Sequence, residues 1–285
     1  VSTEQSDQFM FVDQSVARLL EHAESAACLA FCEAAQRMYP LGGIRALRDA
    51  AGRGGAALFY GPSDPLNAVK GPGLSGPVEP SDWDAVEEVY RPSGSPVVVD
   101  LCPLADEGFV AMLMERGYRI GSFETVMTRR LGHGREPPSR PRVSGLEIRG
   151  VEQAEARAWS RVLDAGFADG GEPMRFAVDI GAVRSAMSSS IMLLATIEGT
   201  PAGGAGMSLH GDVALMSGAA VLPAFRGHGI QQALTARRLE IALERGARLA
   251  KLDVRAGSGS YRNAVRAGFE VAYTRPQLVR DWHAV

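Results

Sequence analysis

The sequence predicts an α/β fold of the α+β type, laid out as two units on one chain. Three observations lead there. Apolar runs of strand length alternate with longer segments of helical period along 285 residues, enough for one large or two ordinary domains. The stretch Gly132-His133-Gly134-Arg135-Glu136-Pro137-Pro138-Ser139-Arg140-Pro141 is rich in glycine, then proline, and carries charges without an apolar anchor, as a linker does. From Val213 to Leu243 a buried apolar run enters a glycine turn and leaves it as a long amphipathic helix. The expected division is a unit at 1–135, a linker at 136–145 and a second unit at 146–285.

Composition bounds the partners. With 46% hydrophobic and 22% charged residues the chain is no disordered polymer, and a net charge of −3 gives no electrostatic argument for nucleic acid or an anionic membrane. The three cysteines, Cys28, Cys32 and Cys102, supply neither a zinc set nor a disulfide framework, so a reducing, cytoplasmic setting is expected. The opening VSTEQSDQFMFVDQ lacks the basic-then-apolar order of a signal peptide, and no apolar run approaches membrane-spanning length.

Asp13 to Met38 has alanines and leucines without Gly or Pro and reads as a helix ended by Pro40, with Cys28 and Cys32 on one face. Ala56 to Tyr60 reads as a strand and Asn67 to Lys70 as a short one before the loop GPGLSGPVEP. A helix opens at Asp82, Val97 to Leu101 is a strand, Asp106 to Arg116 is a helix closed by Gly117, and Phe123 to Leu131 is a strand. Beyond the linker come a strand at Leu146 to Arg149, helices at Val151 to Phe167 and Phe176 to Met187, and strands at Ile191 to Ile197 and Ala205 to Leu209, hinged at Glu198-Gly199-Thr200. Leu249 to Val254 is a strand and Ser260 to Ala267 a short helix. The segment from Val97 to Arg130 and the end of the chain share one order: strand, loop, helix, glycine-aromatic, strand. Gly117-Tyr118 pairs with Gly268-Phe269, which reads as a duplication.

The chemistry concentrates at Arg226-Gly227-His228-Gly229. Val213 to Leu222 is a strand covered on both faces and stopped by Pro223; the two glycines permit positive φ and close approach of a ligand; and the N–H groups of Ile230, Gln231 and Gln232 have no partner inside the helix they begin. Free donors and the positive helix end point the same way, so the turn suits a phosphate or pyrophosphate. No Lys-Ser/Thr follows the glycines and the three-glycine dinucleotide fingerprint is unmet. Val221-x-Pro223-x-x-Arg226-Gly227-x-Gly229-Ile230-x-x-x-Leu234 resembles the acetyl-CoA signature of the GNAT N-acetyltransferase superfamily, [Q/R]-x-x-G-x-[G/A], with Gln231 where Gly or Ala is usual. The order of elements over 145–280 resembles the same superfamily.

That resemblance implies tandem acetyltransferase-like domains, each with a central, mostly antiparallel sheet flanked by helices and a splayed central strand pair. It implies acetyl-CoA as co-substrate, with Ala219, Val221, Arg226, Gly227, His228, Gly229, Ile230, Gln231 and Asn263 as cofactor contacts. The region from Ser217 to Val221, with the small Gly218, Ala219 and Ala220, would hold the thioester carbonyl by backbone N–H groups. The superfamily's helix pattern N-x-x-[A/S]-x-x-x-Y-x-x-x-G-F is met at Ser260 and Gly268-Phe269, but Gly257 stands at the Asn position and Ala264 at the Tyr position. Ser260 and Tyr261 then become the catalytic candidates for protonating the thiolate, although Tyr261 also suits packing and Asn263 capping. Base candidates at loop ends are His210, Asp212 and Glu172.

In the first unit GLSGPVEPSDWD replaces the phosphate turn, and its acidic, proline-rich start would repel a pyrophosphate. This unit is expected to pack, to shape the acceptor cleft or to mediate assembly, a homodimer included. Two functions remain open: N-acetyl transfer from acetyl-CoA to a primary amine of a small molecule or peptide, and a non-catalytic acyl-CoA-binding or scaffold protein. The acceptor is not named by any motif.

Overall fold

The computed structural model describes residues 10–132, 134–168 and 171–282. The first nine residues of the chain, His133 of the linker, and Asp169 and Gly170 of the following loop lie outside the described residues. The N-terminal half runs α1 (Gln14–Met38), β1 (Arg45–Arg48), β2 (Ala56–Phe59), β3 (Ala68–Lys70), α2 (Pro80–Tyr90), β4 (Val97–Asp100), α3 (Glu107–Glu115), β5 (Arg119–Arg130). The C-terminal half runs β6 (Leu146–Gly150), α4 (Ala156–Ala168), α5 (Ile180–Ser185), β7 (Ser190–Ile197), β8 (Thr200–His210), β9 (Val213–Val221), α6 (Ile230–Glu244), β10 (Leu249–Val254), α7 (Gly259–Arg266), β11 (Glu270–Arg280).

Helix starts follow their caps. The carboxylates of Asp13, Asp106 and Asp179 accept from the N–H groups of Val16, Phe109 and Ala182 at 2.9, 3.0 and 2.9 Å. The last of these corrects the helix expected over Phe176 to Met187: α5 starts only after Asp179, and the chain before it runs as loop. Pro80 takes the first position of α2, where a missing N–H costs nothing. β1 went unread in the sequence because RALR lacks an apolar alternation, and it forms as a half-exposed edge strand on β2.

The strands form one eleven-stranded sheet in the order β1-β2-β3-β4-β11-β5-β10-β9-β8-β7-β6. Its pairings are antiparallel except β3 with β4 and β9 with β10. The order contains an exchange. β5, from the N-terminal half, lies between β10 and β11, while β11 lies between β4 and β5. Each half therefore completes its sheet with the last strand of the other. The halves at 1–135 and 146–285 are thereby joined in one sheet, a pairing between remote segments that leaves no local trace in the sequence. The linker is also anchored, contrary to its composition: Arg140 makes two bonds to Glu240 of α6 at 2.8 and 2.6 Å, and Pro141 and Val143 lie against Gly229.

Strand parity separates the two faces. Ala214, Met216 and Ala250 point to the core under α6 and α7, whereas Val213, Leu215 and Leu249 point to the core under α1. α1 crosses both halves, burying Ala17 and Leu20 over β9 and β10 and Leu29, Cys32 and Ala35 over β2. α4 covers the same face of the C-terminal half, where the Trp159 indole N–H donates to the Leu193 carbonyl at 2.9 Å. α2 and α3 cover the opposite face of the N-terminal half.

Candidate active site

The site begins where two parallel strands part. β9 and β10 pair only from Val213↔Leu249 to Leu215↔Lys251, and from Met216 to Val221 β9 has no partner on that side. Gly218 is an extra residue in β9 opposite the Ala205–Gly206 step of β8, and its φ of +50° is of the kind glycine adopts without strain. This bulge re-aims the strand beside the gap. On the α6 face, the gap leads to the turn. Gly227 and Gly229 have φ of +81° and +84°, and α6 starts at Gly229 with no side chain capping its first N–H groups. A Cβ on Gly227 would meet open space, whereas one on Gly229 would come within 3.2 Å of Pro141. Gly229 is thus required by the linker and by its own φ, and Gly227 faces the side open to a ligand.

The expected cofactor residues divide on this geometry. Ile230 and Gln231 present first-turn N–H groups, and Ala219 and Val221 lie on the unpartnered stretch of β9. The Arg226 guanidinium braces the turn, donating to the carbonyls of Val221 at 3.2 Å and Gly166 at 2.8 Å. His228 Nδ1 lies 3.3 Å from the Phe225 carbonyl. Asn263, Ser260 and Tyr261 sit on α7, whose start is capped by Ser258 accepting from the Tyr261 N–H at 3.1 Å. Ser260 is exposed and Tyr261 packs on the core under α6. Of the base candidates, His210 and Asp212 precede β9 and stand at its paired end, opposite to the gap, which corrects that expectation; Asp212 faces Arg248 instead. Glu172 is exposed on the loop before α5.

On the other face the gap opens into a cavity of about 730 Å³ between the halves. Its floor is Ser208, Leu215, Met216, Ser217, Gly218, Lys251 and Asp253 from the C-terminal half and Lys70, Asp100 and Gln277 beyond; α1, α4 and α5 form its walls. Apolar side chains, among them Phe31, Leu163, Phe167, Met174 and Phe176, line much of it.

A buried ionic network underlies this floor. Arg275, fully buried on β11, binds Glu21 and Glu24 of α1 at 2.8 Å each, Glu124 at 2.8 Å, Asp100 at 3.3 Å and Asp253 at 3.6 Å. Lys251 reaches Glu24 at 2.6 Å and Asp253 at 2.7 Å, and Lys70 reaches Glu24 at 2.9 Å and also Asp100. Five carboxylates thus share three cations, an excess of negative charge in a poorly solvated place. Burial opposes ionisation of Glu24 and Asp100, but the neighbouring cations outweigh it and hold both below their ordinary values. Burial pushes Glu21 up, and burial with the charge of Asp253 pushes Glu124 up. Asp253, near the end of β10, lines the cavity together with Glu24, Lys70, Asp100 and Lys251 of the same network.

The sequence reading missed Glu24, Lys70, Asp100, Arg184, Lys251 and Asp253. A signal existed for the strand residues: charges inside otherwise apolar runs, as in VVVD and LAKLDV, mark buried ionic groups that need partners.

A mixed sheet with a parted parallel pair, an uncapped helix N-terminus after the first of these strands and a cavity on the other face of the sheet are consistent with a GNAT fold. Residues 159–269 match the model of the Acetyltransferase (GNAT) family. No curated protein sequence matches the chain. Among solved structures it is similar to a GCN5-related N-acetyltransferase from Kribbella flavida, at 18% identity and a TM-score of 0.61 over 90% of this chain and 96% of that one. A GCN5-related N-acetyltransferase from Sphaerobacter thermophilus follows at 19% and 0.56, over 70% and 67%. A tandem GNAT protein from the clavulanic acid biosynthesis pathway stands at 17% and 0.54, over 72% and 70%. The likeness at such identities is one of fold. Residues 159–269 thus match the GNAT family model, and the fold of the chain as a whole is similar to that of the tandem GNAT protein.

Proposed function

We propose that the protein is an N-acyltransferase that moves an acetyl group from acetyl-CoA directly to a primary amine. The observation that carries this reading is the gap between β9 and β10, which has the phosphate-type turn of α6 on one face and the charged cavity on the other. Pyrophosphate at Gly227 to Gln232 would leave the thioester near Gly218, where unpaired N–H groups of β9 are available to its carbonyl oxygen. The acceptor enters from the cavity, whose enclosure favours a small molecule over a peptide. An ammonium group meets the excess negative charge there, and Asp253 is placed to take its proton so that the neutral amine attacks. As the C–N bond forms, the C–S bond breaks and the CoA thiolate departs.

Among the described residues, the N-terminal half offers no second turn suited to a pyrophosphate. α2 begins with Pro80, which has no N–H, and carries Asp82 in its first turn, so a phosphate would meet fewer donors and a like charge. Its contribution is the far wall of the acceptor cavity.

The test is turnover of acetyl-CoA with a panel of primary amines, followed by thiol release. Amine-dependent release is expected; binding without release would leave only an acyl-CoA-binding protein. Ala264 is buried in the core at the position where the superfamily has its tyrosine, so no dedicated acid is built there. A thiol leaving group is a modest base, near pKa 8.5. Ser260→Ala and Tyr261→Phe are each expected to lower turnover by no more than about a hundredfold. Abolished turnover with normal acetyl-CoA binding would identify that side chain as an essential acid.

A further inference from the structure

The cavity is charged in two senses. Against the acidic floor stands Arg184, on α5, surrounded by protein yet keeping accessible surface toward the cavity. One guanidinium nitrogen donates to Ser217 Oγ at 2.7 Å, and the group lies over Gly206, where a Cβ would come within 3.2 Å of it. Among the described residues no carboxylate stands within salt-bridge distance of Arg184, and burial holds its pKa down. From the other face of the sheet Arg238, fully enclosed, donates to the Gly206 carbonyl at 3.1 Å, likewise without a carboxylate. Burial and the charge of Arg184 bring Arg238 down to about 10.

A poorly solvated guanidinium without a counter-charge is costly to keep, and Arg184, unlike Arg238, faces a cavity from which an anion can complete it. The position narrows which anion. Ser217 adjoins the bulge at Gly218, so the free face of Arg184 lies beside the acyl-transfer point and on the acceptor's side of the sheet. Arg184 and the acidic residues Glu24, Asp100 and Asp253 line the same cavity. Both charged regions therefore address one small molecule.

Resting on the transferase reading above, the geometry points to an acceptor that carries a carboxylate as well as its amine, an amino acid with an apolar side chain. Arg184 forks onto the carboxylate with Ser217 beside it, the amine turns to Asp253, and the apolar body lies against Phe31, Phe167, Met174 and Phe176. Such a molecule balances both regions at once. A plain hydrophobic amine would cover the half-buried Arg184 charge and leave it uncompensated.

L-phenylalanine and 2-phenylethylamine share a body and differ in the carboxylate, so they probe the assignment. Calorimetry on the full chain, with CoA saturating, is expected to show the amino acid binding about 10- to 100-fold more tightly, and rates with acetyl-CoA should follow the same order. In Arg184→Met the ratio should fall to within about threefold, while Arg184→Lys retains part of it, a point charge lacking the fork. The thermal midpoint of Arg184→Met should match or exceed that of the wild type, because a half-buried cation without a counter-charge is removed, and this excludes misfolding as the cause. Equal binding of the two probes in the wild type, or a preference that survives in Arg184→Met, overturns the assignment. So does a variant that loses only a preference for succinyl-CoA over acetyl-CoA, since the carboxylate would then belong to the acyl group. Preferred binding of the amino acid without any transfer would keep this inference and sink the transferase reading; transfer without preference would do the reverse.

Discussion

Replacing Arg275 by Met is expected to destabilise the protein by about 3–5 kcal/mol, about two to four orders of magnitude in the unfolding equilibrium. Met keeps much of the volume, so the loss is one of charge. Glu21 and Asp100 are fully buried and Glu24 nearly so, and each has Arg275 among its partners. Removing one member of a buried ionic group leaves the rest desolvated and unbalanced. Because Glu21, Glu24, Asp100 and Glu124 come from the N-terminal half and Arg275 from the C-terminal half, the same change loosens the exchanged strands. Denaturant unfolding followed by circular dichroism measures it. A loss below about 1 kcal/mol would show that Lys70 and Lys251 suffice. The pH dependence has a definite sign for Glu24 and Asp100: their depressed values give stability that is present above the unfolded carboxylate pKa and lost as pH falls through the folded one. Glu21 and Glu124, raised in the fold, contribute with the opposite sign.

The second large effect is expected on catalysis. Gly218→Val places a β-branched residue at a φ of +50°, a region such residues avoid, and its Cβ would lie 3.5 Å from Leu163 of α4. The bulge must relax, and with it the N–H groups available to the thioester oxygen. Loss of one such donor costs about a hundred- to a thousandfold in kcat. Acetyl-CoA affinity, which the proposed function assigns mainly to the α6 turn, should change only a few-fold. Steady-state kinetics separates the two, and a kcat within about threefold of the wild type would place the carbonyl contact elsewhere.

What was legible in the sequence was local. A covered strand, a proline, two glycines and a helix in direct succession let Val213 to Leu243 be read correctly, since every link is a neighbour in the chain. The exchange of β5 and β11 was not legible, because each strand reads the same whichever sheet edge it joins. Glu21 and Glu24 look like charges on an ordinary helix, and only the path of α1 over β9 and β10 makes them partners of Arg275. His210 and Asp212 read as base candidates because they lie at loop ends that solvent or substrate could reach, but a sequence does not say at which end β9 parts from β10. Arg184 sits on a six-residue helix with no pattern to mark it as enclosed.

The central claim is that one acyl-CoA site exists per chain, at the α6 turn and the β9–β10 gap, with the N-terminal half serving only the acceptor side. Calorimetric titration of the full chain with acetyl-CoA tests it most directly. The predicted result is one site per chain, weakened at least about tenfold in Gly227→Val, where the added side chain enters the open side of the turn at a φ of +81°. Two sites per chain, or an affinity unchanged in Gly227→Val, would contradict the account.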